Sequence, residues 1–196
     1  MPDSAIDRLI NIKNAFHFTP GLDELFLEAM REAFVQHYNN CVTYKKLCHL
    51  DGFSPEMLQT YNDLFQIPHL MVNVLKAYTL TSVPDEEIEL TLTSSGTTGQ
   101  KSQIHLDKKS LGRIRKIVWN IYSTYGMADK TVNANCLLFS YEYEHARNLG
   151  TSFSDDLLSG LTSLNKVSYA LKFNRHKQDF ELDVQGVLNT LEEYNR

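Results

Sequence analysis

The sequence predicts an α/β fold: a helical N-terminal segment, 1–83, leading into an incomplete, largely parallel sheet with flanking helices over 84–196. Three observations predict it. The apolar residues of the first part recur at helical spacing. The texture changes at Val83-Pro84, and from there short β-branched runs alternate with helical stretches, as in strands joined by crossover helices. Finally, 42% hydrophobic and 11% aromatic residues in a chain of 196 are enough to build a core.

The elements follow in order. From Leu22 the apolar residues Leu25, Phe26, Ala29, Met30, Ala33 and Phe34 make one stripe of a helix, with Asp23, Glu24, Glu28 and Arg31 outside it. A second helix spans Val42 to Leu50 and stops at the Asp51-Gly52 turn. Ser54 then caps a further helix with Pro55 at its first position. Pro68 interrupts, and Leu70 to Tyr78 is a short apolar stretch. Ile88 to Thr93 reads as a strand, and so does Ser102 to Leu106 after a loop of small residues. Asp107 caps a helix through Tyr125, with Gly126 just past its end. Ala134 to Ser140 is a buried-type strand, Leu157 to Leu164 a short helix, Lys166 to Phe173 a strand and Val184 to Tyr194 a final helix.

Composition excludes several classes. Lysine plus arginine total 19 against 24 aspartate plus glutamate, a net charge of −5, which argues against a general nucleic-acid binder. Cys41, Cys48 and Cys136 contain no CxxC, so neither a disulfide scaffold nor a structural zinc site is expected, and no metal ligand is assigned. The N-terminus, MPDSAIDRLINIKNAFHF, mixes charges into every turn and does not read as a signal peptide. No run approaches the roughly 18 apolar residues that span a bilayer. The expected setting is therefore cytoplasmic.

The chemistry concentrates in Thr93-Ser94-Ser95-Gly96-Thr97-Thr98-Gly99-Gln100-Lys101-Ser102. Its glycines let backbone N–H groups turn towards one guest, the hydroxyls add donors, and Lys101 adds charge, which suits phosphate oxygens. It is not a Walker A loop: GxxxxGK[ST] is absent and a strand follows. An unliganded Ser/Thr/Gly hairpin satisfies the same residues, so both readings stand on composition alone.

SSGTTG followed by a lysine resembles the phosphate-binding signature of the adenylate-forming superfamily, which includes acyl-CoA synthetases and firefly-type luciferases. That signature continues x-Pro-Lys; here Gln100-Lys101-Ser102 lacks the proline and brings the lysine one place early. With Ile67-Pro68-His69, Leu75-Lys76 and LTSSGTTGQKSQIHLDKKSL, the stretch from Ile67 to Leu111 resembles the LuxE-type acyl-protein synthetases. The resemblance implies the N-terminal part of the adenylate-forming fold. It also implies a reaction of ATP and Mg²⁺ with a fatty acid or other carboxylate to give acyl-AMP, then acyl transfer to a protein cysteine, with an acyl reductase as a further partner. Ser94, Ser95, Thr97, Thr98 and the N–H groups of Gly96 and Gly99 would hold phosphate, with Lys101 beside them; no catalytic residue is assigned. Two other readings remain: a phenylacetate-type carboxylate–CoA ligase, and a non-catalytic phosphate-binding module.

The basic residues Lys101, Lys108, Lys109, Arg113, Arg115 and Lys116 either steer ATP to the loop or form a solvated helix face. His105 is either a ligand contact or a packed histidine. Glu142, Glu144, His145 and Arg147, with Tyr141 and Tyr143, either line a crevice at a strand end or simply pack. Cys136, set in ANCLLFS, is expected to be buried, and none of the cysteines matches the family's acyl acceptor. Nothing from Ala134 to Arg196 resembles the superfamily's later adenine-binding motifs or its catalytic lysine. The chain is therefore expected to cover half or less of a family member, to self-associate as a homodimer or in another form, and to lack complete adenylation activity.

Overall fold

The computed structural model describes residues 4–14, 16, 18–94 and 101–195. The first helix, α1 (Ala5–Ile10), was not marked by the sequence pattern. It exists because both its faces are tied. Ser4 caps it by accepting from Asp7 N, while Ser4 Oγ donates to Glu32 Oε1 at 2.5 Å and Ala5 N donates to Glu32 Oε2 at 2.7 Å. Glu32 thus satisfies donors that a helix start leaves free. Burial pushes its carboxyl up, but the hydrogen bonds from Ser4, Ala5 and Ile6 outweigh this and hold it below its ordinary value.

Glu32 lies on α2 (Leu22–Asn40), which carries the expected stripe beyond Phe34, and α3 (Val42–Leu50) follows with the expected bounds. Gly52, at φ +66°, makes the turn after it, where a Cβ would be strained. Phe34, Cys48, Phe53 and Leu58 form a first core, with the Phe53 ring edge-on to Phe34 at 5.4 Å. Pro55–Met57 closes only a 3₁₀ turn. The chain is held there by Arg31, whose Nε donates to Leu58 O at 2.9 Å, so a longer helix gives way to that tie. The stretch ends in the single turn α4 (Val74–Ala77).

Strands β1 (Ile88–Thr93) and β2 (Gln103–Asp107) pair antiparallel, the short connection between them allowing no crossover. Asp107 then caps α5 (Lys108–Thr124), accepting from Ser110 N at 2.8 Å, and Gly126 at φ +69° ends it as expected. Next come β3 (Asp129–Tyr141), α6 (Tyr143–Ala146), α7 (Gly150–Ser159), β4 (Thr162–Asn174), β5 (Asp179–Leu182) and α8 (Val184–Tyr194). The α/β class holds, and the sheets are small and mixed. In the order β3-β4-β5, β3 and β4 run parallel and β5 returns antiparallel. The helix expected over Leu157 to Leu164 lies earlier: β4 already begins at Thr162, and α7 is held by Phe153, buried with Leu106 and Leu111 in a second core.

Helix α5 joins the helical segment to this part. Arg113 Nε donates to Asp7 Oδ1 at 2.8 Å, and the buried Asn120 donates through Nδ2 to Ile10 O at 2.6 Å. Among the described residues, no helix is long and apolar enough to cross a membrane.

Candidate functional site

The Ser/Thr/Gly string is the loop of the β1–β2 hairpin. Ser94 and Lys101 are described; Ser95, Gly96, Thr97, Thr98, Gly99 and Gln100 lie outside the described residues. The foot of the loop is closed twice: Ser94 N donates to Ser102 O at 3.2 Å, and Ser102 N donates to Ser94 Oγ at 3.2 Å. It is also fastened sideways. Thr93 N donates to Asn148 O at 2.7 Å, Thr93 Oγ1 donates to the same carbonyl at 3.2 Å, and Thr93 forms a parallel bridge with Leu149. Leu149 precedes the first turn of α7, so the loop foot and that helix start share one short segment.

Beside the foot lies a cavity of about 300 Å³ whose lining includes Lys76, Tyr78, Thr79, Lys101 and Gln103. Two ammonium groups, a phenol, a hydroxyl and an amide offer donors to phosphate oxygens. In the sequence Lys76 enters only through the resemblance; that it shares a cavity with Lys101 is a tertiary fact no local pattern carries. The lining includes no carboxylate, and among the described residues no group of three or more His, Cys, Asp or Glu residues could hold a metal ion. The described part of this lining offers hydrogen-bond donors and positive charge suited to phosphate oxygens.

The remaining candidates divide. Lys101, Lys108, Lys109, Arg115 and Lys116 are exposed, whereas Arg113 is committed to Asp7. The Arg113 hydrogen bond, against a smaller opposing effect of burial, holds the Asp7 carboxyl below its ordinary value. His105 on β2 places Nδ1 2.9 Å from Thr91 Oγ1. Of the acids and aromatics around the end of β3, Glu144 is exposed and the others make contacts within the chain. Glu142 pairs with Lys172 at 3.0 Å, Tyr141 meets Phe180 edge-on at 4.8 Å, His145 stacks on Phe173 at 4.6 Å, and Arg147 lies over the Tyr143 ring. Burial raises the Glu142 carboxyl, but bonds from Lys172 and Phe173 N outweigh that and keep it low, so it holds no proton to give near neutrality.

All three cysteines are free, but their order of burial departs from expectation. Cys41 and Cys48 are buried and Cys136 is only half-buried. The reason is its strand: β3 lies at the edge of its sheet, so an apolar run there is not covered on every side. Burial pushes the Cys48 thiol up, which makes it a poor nucleophile.

The long-chain-fatty-acid–luciferin-component ligase of Vibrio harveyi is 33% identical to this chain over 91 residues, covering 46% of this chain and 23% of that protein. Its counterpart from Aliivibrio fischeri is 35% identical over 85 residues, covering 43% and 21% respectively. That from Photorhabdus luminescens is 32% identical over 77 residues, covering 39% and 63%. The matched stretch is thus under a quarter of the length of the first two relatives. In fold, the chain is similar to 2-hydroxyisobutyryl-CoA ligase bound to 2-HIB-AMP and CoA in its thioesterification state. That likeness has a TM-score of 0.63 at 15% identity, covering 79% of this chain and 32% of that one. An open conformation of the same ligase gives 0.60 at 13% identity, covering 74% and 31%. The family described as acyl-protein synthetase, LuxE, matches residues 2–159, well over half of the sequence and including the whole hairpin with its loop; the chain belongs to that family.

Proposed function

We propose that this chain carries the phosphate-binding part of an ATP-dependent fatty-acid ligase. A carboxylate is a poor electrophile because its leaving group would be oxide. Its oxygen attacks the α-phosphorus of ATP, the bond from that phosphorus to the bridging oxygen breaks, and pyrophosphate leaves. A thiolate then attacks the acyl carbonyl and AMP departs. The task of the loop is to hold the leaving phosphates through the hydroxyls of Ser94, Ser95, Thr97 and Thr98 and the N–H groups of Gly96 and Gly99. Lys101 and Lys76 add positive charge at its foot. Mg²⁺ would arrive on the phosphates, and no step is assigned to it.

The observation that carries this reading is the closed hairpin foot, Ser94 to Ser102, opening beside a cavity lined by two lysines. The same reading includes a protein cysteine as acceptor, a reductase-type partner for the acyl group and a cytosolic setting, where thiols stay reduced. It also keeps a helical unit, 1–83, and a phosphate-binding unit, 84–196. Self-association as a dimer belongs to it as well. Phe139 on the edge strand β3 is 73% exposed, and Leu182, Val184 and Leu188 are also exposed, apolar side chains that a second copy would cover.

The test is pyrophosphate binding by calorimetry. Removing one hydroxyl donor to a charged phosphate costs about 1.5–3 kcal/mol, so Thr97→Ala should weaken binding about 10- to 150-fold. Unchanged binding in a folded Thr97→Ala/Thr98→Ala protein removes the loop from the reading.

A further inference from the structure

A second cavity, of about 450 Å³, lies between α2, α3 and β2. Met30, Phe34, Leu70, Leu80 and Val83 give it an apolar wall. Its volume falls within the ~300–1,000 Å³ typical of small-molecule sites. Three of the polar side chains around it are already partnered within the chain. His37 Nδ1 lies 2.7 Å from Ser82 Oγ, and Tyr44 OH donates to Pro68 O at 2.7 Å.

His105 is different. Its Nδ1 is engaged by Thr91 Oγ1, but its Nε2 is buried and has no hydrogen-bond partner among the described residues. A buried polar atom left unmatched is costly, and so it calls for an explanation. When the Thr91 hydroxyl donates to Nδ1, the imidazole carries its proton on Nε2 and that atom is a donor. A largely apolar chamber with a buried, unmatched donor on its wall suits a ligand with a long apolar body and an anionic or acceptor head.

We propose that this cavity is the acyl chamber of the ligase, taking the chain of a linear fatty acid, with His105 Nε2–H donating to its carboxylate. The proposal rests on the ligase reading above and deepens it. Two placements support it. His105 pairs with Thr91, two residues along the hairpin from the Thr93–Gln103 pair. At strand rise that is about 7 Å, so a carboxylate held at His105 stands close to the foot of the phosphate loop. Leu75 lines both cavities, so the apolar chamber and the lysine-lined one adjoin across a single side chain. His105 is a binding and positioning residue here; it orients the carboxylate and takes no proton from it.

The test uses the 196-residue chain with tetradecanoic acid, decanoic acid and tetradecanol as probes, read by calorimetry. A second readout is iodoacetamide labelling of Cys41, which lines the chamber, against Cys136, which does not. The acid should bind, slow Cys41 labelling and leave Cys136 unchanged. Affinity should fall about fourfold for each methylene removed from the probe. The acid should bind about tenfold tighter than the alcohol, and His105→Phe should erase that preference while His105→Gln, which keeps a donor, retains part of it. Ala33→Phe fills the chamber and should abolish binding; Leu80→Phe does the same from another segment should the first variant not fold.

Equal affinity for acid and alcohol in the parent chain overturns the proposal. So does unchanged binding in both filling variants, or a failure of the acid to protect Cys41. The two readings fail separately. Loss of acid binding with loop-dependent pyrophosphate binding intact overturns the chamber alone. Pyrophosphate binding indifferent to Thr97 and Thr98 overturns the ligase reading and leaves the acid-binding result to stand by itself.

Discussion

Replacing Arg113 by alanine should destabilise the protein, and the size of the effect follows from its contacts. Arg113 Nε lies 2.8 Å from Asp7 Oδ1, and a second guanidinium nitrogen lies 3.2 Å from Ser4 Oγ. A charge-assisted hydrogen bond of this kind is worth about 1.5–3 kcal/mol when well shielded. The Arg113 side chain is only 17% exposed, but that of Asp7 is 36% exposed, so water screens one partner. The discounted cost is about 1–2 kcal/mol, which in a chain of this size lowers Tm by about 2–8 °C. The sign with pH follows from Asp7. Its carboxyl is held below the ordinary 3.8 by the Arg113 hydrogen bond. The stabilisation is therefore fully present above that ordinary value and is lost as pH falls through the depressed one. Urea denaturation of the parent, Arg113→Ala, Asp7→Asn and the double variant gives the coupling energy. It should be largest at neutral pH and shrink below about pH 4. A coupling within about 0.3 kcal/mol of zero at pH 7, inside the error of additivity, or one that persists undiminished in acid, would refute the reasoning.

Three further outcomes can be stated briefly. Asn120→Ala leaves the Ile10 carbonyl without its donor in a buried place, and it should cost about 1–3 kcal/mol, read as a lowered urea midpoint with an unchanged slope. Glu142→Gln breaks a pair whose side chains are 28% and 44% exposed, so it should cost under about 1 kcal/mol, with pyrophosphate binding unaltered in the same preparation. Thiol labelling of the native protein should modify Cys136 before Cys48, because Cys48 is fully buried and its thiol is pushed up by that burial.

Much of the fold was legible because periodicity and caps are local. The bounds of α3, β1 and α8 follow from apolar spacing and β-branching, and Asp107 and Gly126 mark both ends of α5. What escaped depends on distant partners. Helix α7 opens on Gly150-Thr-Ser, a start with no helical signal, and the buried Phe153, with Leu157 one turn on, fixes it against β2 and α5. Strand β5 is four residues with two acids, and it exists because β4 offers an edge. The candidate site shows the same division. The Ser/Thr/Gly string announces itself, but its fastening to Asn148 spans 55 residues, and the joint cavity of Lys76 and Lys101 needs the folded hairpin.

The two cores bear on how the molecule opens. The cluster around Phe34 and the cluster around Leu106 have no residue in common. Regions with separate cores open as separate cooperative units. Amide hydrogen exchange should accordingly sort into two groups. Amides of α2 and α3 should exchange together at one free energy, and those of α5, β1 and β2 at another. Cutting the Arg113 tie should loosen the first group relative to the second. A ligand lodged between α2 and β2 touches both units and should draw the two exchange energies together, so the spacing between them is a measure of how strongly one half of the protein senses the other.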